Sequence, residues 1–101
     1  MSKEVGSKKC FLLGAKIADA INDLHNLVSL ALWDDALKKI EELKQLKDAP
    51  DKCGIDLSMI FEYVNTLETE IKNEHYELAY YTMATIMDEL HDKLKKLCKS
   101  Q

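Results

Sequence analysis

Apolar residues recur at helical spacing in two stretches of the chain, and these stretches match when the sequence is shifted by 43 positions. The matched apolar positions are Ile17 with Ile60, Ile21 with Val64, Leu24 with Leu67, Val28 with Ile71, Ala36 with Ala79, Ile40 with Met83 and Leu43 with Ile86. The same shift pairs Cys10 with Cys53 and Trp33 with Tyr76. Intervals of three or four between apolar residues are typical of amphipathic helices. The pattern therefore predicts one helical hairpin that occurs twice.

Four helices follow from this pattern. The predicted bounds are residues 8–31 for the first helix, about 34–47 for the second, 56–72 for the third and 75–98 for the fourth. The second helix is predicted to begin at Asp34 and Asp35, because carboxylates favour the positive end of a helix dipole. No glycine or proline separates the first two helices, so one continuous helix through Lys47 is an alternative interpretation.

A single amphipathic hairpin cannot bury its own apolar stripe, so the two hairpins are expected to pack together. The predicted fold is all-α, a four-helix up-down-up-down bundle in one domain, residues 1–101. Its parts are a flexible leader at 1–7, the first hairpin at 8–47, a linker at 48–54 and the second hairpin at 55–98. The linker holds the only proline and one of three glycines.

Composition narrows the class of partner. Of the 101 residues, 47% are hydrophobic and 32% charged, as in a folded domain, and few glycines and prolines argue against an all-β fold. The net charge is −4, and every basic residue is lysine. Arginine provides the bidentate contacts to guanine and phosphate, so nucleic acid is not the favoured partner. A nucleic-acid-associated regulator that uses the lysines of 93–99 stays as an alternative.

The cysteines and the apolar runs predict the cellular compartment. The longest apolar run, 27–33, is far shorter than the roughly 20 residues of a membrane span, so no membrane partner is expected. The polar start of the chain shows no signal-peptide pattern. Three cysteines without a CxxC pair suit free thiols in a reducing compartment, which predicts a cytoplasmic protein.

The bundle topology places Cys10, Cys53 and Cys98 at one end, with His91 about two turns away. Thiolates and imidazole are zinc ligands, so a metal- or ligand-binding bundle is a second alternative. Structural zinc sites usually draw ligands from close pairs in sequence, whereas these four residues are isolated. Ordinary thiols are the favoured interpretation, and no metal or cofactor is predicted.

Catalytic motifs do not emerge from the sequence. There is no Gly-rich phosphate loop and no nucleophile motif. A di-iron bundle needs Glu-x-x-His on two helices, and the chain offers only Asp88-x-x-His91. We therefore expect a protein that is not an enzyme and has no catalytic residues.

The favoured function is binding of another protein. The apolar face widens at Leu30, Leu32 and Trp33, and the neighbours Tyr80 and Tyr81 cannot both face the core. Aromatic side chains are enriched at interfaces. These five residues are the predicted partner-binding set of a small cytosolic adaptor, regulator or chaperone-like module. Its partner is a second copy of the chain, as in a dimer, or a different protein.

Two families share parts of this pattern. The aromatic–acidic–x–Ala segments at 33–36 and 76–79 resemble tetratricopeptide-type repeats. The second half is also similar to the helical domain shared by the COPII coat outer subunit and the steroid receptor RNA activator protein. The residues that carry this similarity are Met59, Val64, Leu67, Ile71, Tyr76, Glu77, Ala79, Met83 and Leu90. Both resemblances imply a helical scaffold for protein contacts.

Overall fold

The computed structural model describes the backbone of residues 2–48, 53 and 56–99, and the side chains of 9–48, 53 and 56–96. Four helices make up these ranges: α1 Ser2–Ser29, α2 Trp33–Lys44, α3 Ser58–Lys72 and α4 Tyr76–Lys99. No strand occurs in the described part of the chain. The predicted all-α class is confirmed.

The start of α1 differs from the prediction of a flexible leader at 1–7. The helix begins at Ser2, six residues before the predicted start at Lys8. Once a helix has formed, each added residue costs little, and between Ser2 and Cys10 only Gly6 opposes helix. Met1 lies outside the described residues.

The helices form an up-down-up-down bundle. Each helix packs against its neighbours in sequence, and α1 also packs against α4, which closes the ring. In the described residues the backbones of the diagonal pairs, α1 with α3 and α2 with α4, do not approach each other in this way, although aromatic side chains of α2 and α4 meet at one end of the bundle. One apolar core runs through all four helices, and its largest fully buried side chains are Ile17, Ile21, Leu24, Ile40, Leu43, Ile60, Leu67, Met83 and Ile86.

The predicted duplication of the hairpin is confirmed by burial. All seven matched apolar pairs are buried, with no member more than 4% exposed. The contacts between hairpins match as well. The shift makes α1 equivalent to α3 and α2 equivalent to α4, and α1 packs on α4 just as α3 packs on α2. The two hairpins are therefore related by an approximate twofold axis that runs along the bundle.

The break between α1 and α2 is a tight C-terminal turn in which Ala31 has φ of 59°. The Leu32 N–H donates to the Leu27 carbonyl at 2.9 Å, and the Ala31 N–H donates to the Val28 carbonyl at 3.0 Å. This pair of hydrogen bonds is a Schellman motif, which ends a helix at a left-handed residue. The alternative of one continuous helix through Lys47 is wrong.

The turn between α3 and α4 repeats this motif 43 residues later. The His75 N–H donates to the Glu70 carbonyl at 2.8 Å, the Glu74 N–H donates to the Ile71 carbonyl at 3.0 Å, and Glu74 has φ of 60°. Neither left-handed position is glycine, the residue that usually occupies it. The duplication therefore includes the backbone of the turns as well as the core.

The start of α3 is preceded by a local side-chain turn between Asp56 and Ser58, while the N-cap residue itself is Leu57. One carboxylate oxygen of Asp56, Oδ1, accepts hydrogen bonds from the Ser58 N–H at 3.1 Å and from the Ser58 hydroxyl at 2.6 Å. These hydrogen bonds lower the pKa of Asp56. The Asp56 carboxylate thereby satisfies one of the free N–H groups at the start of the helix, that of Ser58.

Candidate protein-interaction site

The bundle has two chemically different ends. Because sequential helices are antiparallel, both hairpin turns lie at one end, which we call the aromatic end (residues 30–35 and 73–80). The opposite end contains the early part of α1, the start of α3 and the last turns of α4. We call it the disulfide end (residues 9–13, 45–48, 53, 56–59 and 91–96).

At the aromatic end, Trp33 and Tyr76 stack face to face. Their ring centroids lie 4.4 Å apart with an interplanar angle of 14°. Tyr80 adds an edge-to-face contact with Trp33 at 5.5 Å and 64°. Such pairs contribute roughly 0.5–1.5 kcal/mol beyond the apolar area that they bury. The stack therefore fixes the orientation of the rings while Trp33 and Tyr76 remain half-buried.

This stack lies on the approximate twofold axis. Trp33 and Tyr76 are equivalent positions of the two hairpins, and a residue contacts its own equivalent only where the axis passes between them. Each aromatic is the first residue of its helix, directly after the Schellman turn. The repeated turn thus brings the two rings to the same point from opposite sides.

Exposed apolar side chains surround the stack. Leu30 is 69% exposed, and Leu32 and Tyr80 are each 44% exposed. Since Leu30 and Leu32 belong to the turn that leads directly into Trp33, these side chains share the end of the bundle with the rings. The structure therefore brings together four of the five residues predicted for partner binding.

Tyr81, the fifth predicted residue, occupies a different face. It is 74% exposed, and one residue along a helix corresponds to a rotation of about 100° from Tyr80. Tyr81 therefore points away from the core and borders the aromatic end only from the outer side of α4. The expectation that the two tyrosines face in different directions agrees with their positions.

Carboxylates ring the aromatic end. Four exposed acidic residues lie within it, and the described ranges 30–35 and 73–80 contain no lysine. The four are Asp34, Asp35, Glu74 and Glu77. Asp34, Asp35 and Glu77 occupy first helical turns, where negative charge stabilises the helix dipole. The combination is an apolar surface with a negative rim.

Sequence reasoning missed two residues of this surface. The predicted partner-binding set leaves out Tyr76, which is half-buried and forms the stack with Trp33. Leu78 is 50% exposed on the adjoining face of α4 and was not singled out. The shift that pairs Trp33 with Tyr76 is the signal that would have found the first. No periodic signal marks Leu78.

At the opposite end, Cys10 and Cys53 form a disulfide bond, with Cα atoms 5.6 Å apart. The prediction of free thiols is wrong for these two cysteines. They are equivalent positions of the two hairpins, so the disulfide bond also lies on the approximate twofold axis. Their pairing depends on proximity in the fold and not on spacing in the sequence. The side chain of Cys98 lies outside the described residues.

The disulfide bond changes two expectations that depended on thiols. While the bond is intact, Cys10 and Cys53 offer no thiolate, so the zinc alternative loses two of its four ligands. The described residues contain no group of three or more metal-ligating side chains, and His91 is exposed. The inference of a reducing compartment also loses its basis, since disulfide bonds persist in oxidising environments.

One buried charge lies between α2 and α3. Glu68 is 9% exposed, and its Oε1 accepts a hydrogen bond of 2.6 Å from Lys44 Nζ. Lys72 Nζ lies 3.7 Å from the other carboxylate oxygen. The hydrogen bond from Lys44 lowers the pKa of Glu68 and raises the pKa of Lys44. A carboxylate bound in this way joins α2 to α3.

A groove of about 310 Å³ runs between α1 and α2 and is open to solvent. Lys39 lies along it, 3.1 Å from Glu42 and 3.8 Å from Asp23. Five of its eight lining residues are charged, and three of these, Asp23, Lys39 and Glu42, form ion pairs with one another. The groove is therefore a weaker candidate for a binding site than the aromatic end.

Comparison with known proteins found no matching family model, curated protein or solved structure. Among the described residues, no helix combines the length and the apolar character that crossing a bilayer requires.

Proposed function

We propose that this protein is a small helical protein–protein interaction module, of an adaptor, regulator or chaperone-like kind, that binds its partner through the aromatic end. The observation that carries the proposal is the Trp33–Tyr76 stack, half-buried and surrounded by Leu30, Leu32 and Tyr80. The resemblance to helical scaffolds for protein contacts supports the same role.

The chemistry of the aromatic end suits an interface anchor. Tryptophan and tyrosine are the commonest hot-spot residues, and they act best when they are already held in place. The stack fixes Trp33 before binding, so little side-chain entropy is lost when a partner covers it. The exposed leucines of the turn before Trp33, Leu30 and Leu32, add apolar area at about 25 cal/mol per Å² buried.

The compartment is part of this proposal. The cytoplasmic address stays a prediction, and the Cys10–Cys53 disulfide bond weighs against it. Rapid alkylation of the protein in its own cells, followed by mass measurement, decides the matter. Protection of Cys10 and Cys53 from alkylation indicates an oxidising compartment, and labelling of both indicates a reducing one.

The proposed site is tested by site-specific photo-crosslinking. A photoreactive side chain at Leu30 is expected to form adducts with a bound protein in the native cells. The matched control carries the same group at Asn22, which is exposed in the middle of α1. Equal crosslinking from the two positions would contradict the proposal.

Substitutions provide a second test. The double variant Leu30→Asp with Leu32→Asp adds charge to the apolar surface and is expected to weaken partner capture by at least tenfold. Both side chains are exposed, so helicity measured by circular dichroism should be retained. Unchanged capture by a folded double variant would remove the aromatic end as the site.

A further inference from the structure

The disulfide end complements the aromatic end in both charge and apolar character. Phe11 is 69% exposed, Leu12 59% and Leu94 38%, so this end also presents apolar side chains to solvent. Its described charged residues are mostly basic: Lys9, Lys47, Lys93, Lys95 and Lys96 against Asp48, Asp56 and Asp92. The aromatic end has the opposite sign, with four carboxylates and no lysine in its described residues.

We propose that the chain binds a second copy of itself head to tail, with the disulfide end of one copy on the aromatic end of the next. This inference rests on the proposed function, because it names the occupant of the aromatic end. Apolar contact between the two ends supplies affinity, and the opposite charges set the orientation.

Charge argues against the two symmetric arrangements. Two aromatic ends in contact would bring eight carboxylates together, and two disulfide ends would bring together two groups rich in lysine. Like charges placed against each other cost free energy and slow encounter. Only the head-to-tail arrangement pairs opposite signs.

Exposed lysines at the disulfide end are available for this contact. Lys96 already pairs with Asp92 at 3.3 Å on the same helix. Lys9 and Lys95, by contrast, are exposed and form no ion pair within the described part of the chain. Asp34 and Glu74 at the other end are likewise exposed and form no ion pair there.

The dimensions of the bundle set the strength of the contact. The molecule measures 49 × 24 × 19 Å, so an end-to-end contact uses its smallest face. That face is smaller than the roughly 800 Å² per partner of a standard stable interface. We therefore expect weak association, with a dissociation constant of about 100 µM or above. A head-to-tail contact also leaves one free end at each terminus, so it builds open chains and not a closed dimer.

Charge-reversed variants test the orientation. The first variant carries Lys9→Glu and Lys95→Glu, and the second carries Asp34→Lys and Glu74→Lys. The first variant alone presents two acidic ends, and the second removes the net negative charge of its aromatic end, so neither retains ends of opposite sign. Each variant alone is expected to sediment as a monomer at concentrations where the natural chain associates. An equimolar mixture is expected to associate again, because each unaltered end then meets its complement.

The matched control carries Asp19→Lys and Glu62→Lys, which change the net charge as much as the second variant does. These two residues are exposed and equivalent in the two hairpins, and both lie outside the ends. The control is expected to associate like the natural chain. Trp33, the only tryptophan, gives a second readout, because its emission should shift to shorter wavelength when the aromatic end is covered.

The outcomes separate this inference from the proposed function. Two results support the head-to-tail contact. The association constant of the natural chain falls by at least about tenfold between about 50 and 500 mM salt, and the mixture of the two variants associates again. A monomeric natural chain at about 1 mM and low salt overturns it, as does a mixture that stays monomeric. If crosslinks from Leu30 then still reach another protein, the proposed function stands and only the second copy is rejected. If the natural chain does not associate with itself and Leu30 forms no crosslink to another protein, both proposals fail.

Discussion

Ala31 and Glu74 have φ values of 59° and 60°, in the left-handed region that favours glycine. For a residue with a Cβ this conformation costs roughly 1–2 kcal/mol. Both residues nevertheless occupy the position that ends a helix in the Schellman motif. The chain keeps these strained residues because the hydrogen bonds of the turn and the packing of the following aromatic hold them there.

Replacing Ala31 by glycine is expected to raise the free energy of unfolding by about 0.5–1 kcal/mol, because relief of strain exceeds the added freedom of the unfolded chain. Glu74→Gly should act in the same direction. Urea unfolding followed by circular dichroism measures both effects. Ala84→Gly, at an exposed position inside α4, is the matched control and should destabilise by about 1 kcal/mol. Destabilisation by Ala31→Gly would show that the turn does not have this backbone.

The Glu68–Lys44 pair gives stability a pH dependence. Since its pKa in the folded state is lowered, Glu68 contributes stability above the ordinary pKa of a glutamate, about 4.3, and this contribution is lost as pH falls below it. The raised pKa of Lys44 makes its contribution present at neutral pH and lost at strongly alkaline pH. In thermal melts between pH 3 and 6, Glu68→Gln should lessen the fall in midpoint. Identical pH profiles for the two proteins would rule out the pair as the cause.

At this scale the buried core residues could be predicted from the sequence, whereas the left-handed turn residues and the buried ion pair could not. The core positions follow from periodicity, and all matched pairs are buried. A left-handed alanine or glutamate carries no local signal, because such a residue is placed by the turn around it. The ion pair of Glu68 with Lys44 also has no sequence signal, because the two residues are 24 positions apart and on different helices.

At the scale of the elements, α3 and α4 agree with the predicted bounds to within two residues, because Asp56, Asn73 and their neighbours mark clear boundaries. The first helix starts earlier than predicted, and the second ends at Lys44 and not at Lys47. Residues 8–31 contain few breakers, so composition alone did not mark either end of α1. The existence of each helix was predictable, whereas the form of the first turn was not.

The disulfide bond connects α1 to the segment before α3, and its two cysteines are 43 positions apart in the sequence. Loop entropy for this length predicts a loss of about 3–4 kcal/mol in the free energy of unfolding for Cys10→Ser with Cys53→Ser. Urea unfolding with and without dithiothreitol measures it. The reductant should lower the midpoint of the natural chain to that of the double variant and leave the variant unchanged. A natural chain insensitive to reductant would contradict the prediction.

At the scale of the whole molecule, the approximate twofold axis predicts that matched core residues are energetically equivalent. Leu24 and Leu67 are each 0% exposed. Truncation of either to alanine should cost about 2–5 kcal/mol, and the two losses should be similar. Leu78→Ala, at a half-exposed position, is the control and should cost less than about 0.5 kcal/mol. Losses that differ by more than about 2 kcal/mol would show that the hairpins carry the core unequally.

The candidate site was only partly predictable at this scale. Leu30, Leu32 and Trp33 are predictable because the apolar residues there exceed what one helix face can bury, and Tyr80 because it cannot face the core together with its neighbour Tyr81. Tyr76 lies beside them because the two hairpins pack about the approximate twofold axis, and no local sequence pattern predicts that packing. The disulfide bond was missed for the same reason, since it too joins equivalent positions across that axis.

Two hairpins that are equivalent about an axis need not appear in a particular order. The start of α1 and the end of α4 lie at the same end of the bundle as the connection between α2 and α3. A circular permutant that begins with residues 56–99, continues through a copy of the natural linker and finishes with residues 2–48 therefore contains the same neighbours in space. Such a rearranged chain should reach the same bundle, which makes the hairpin, and not the full chain, the unit of folding information in this protein.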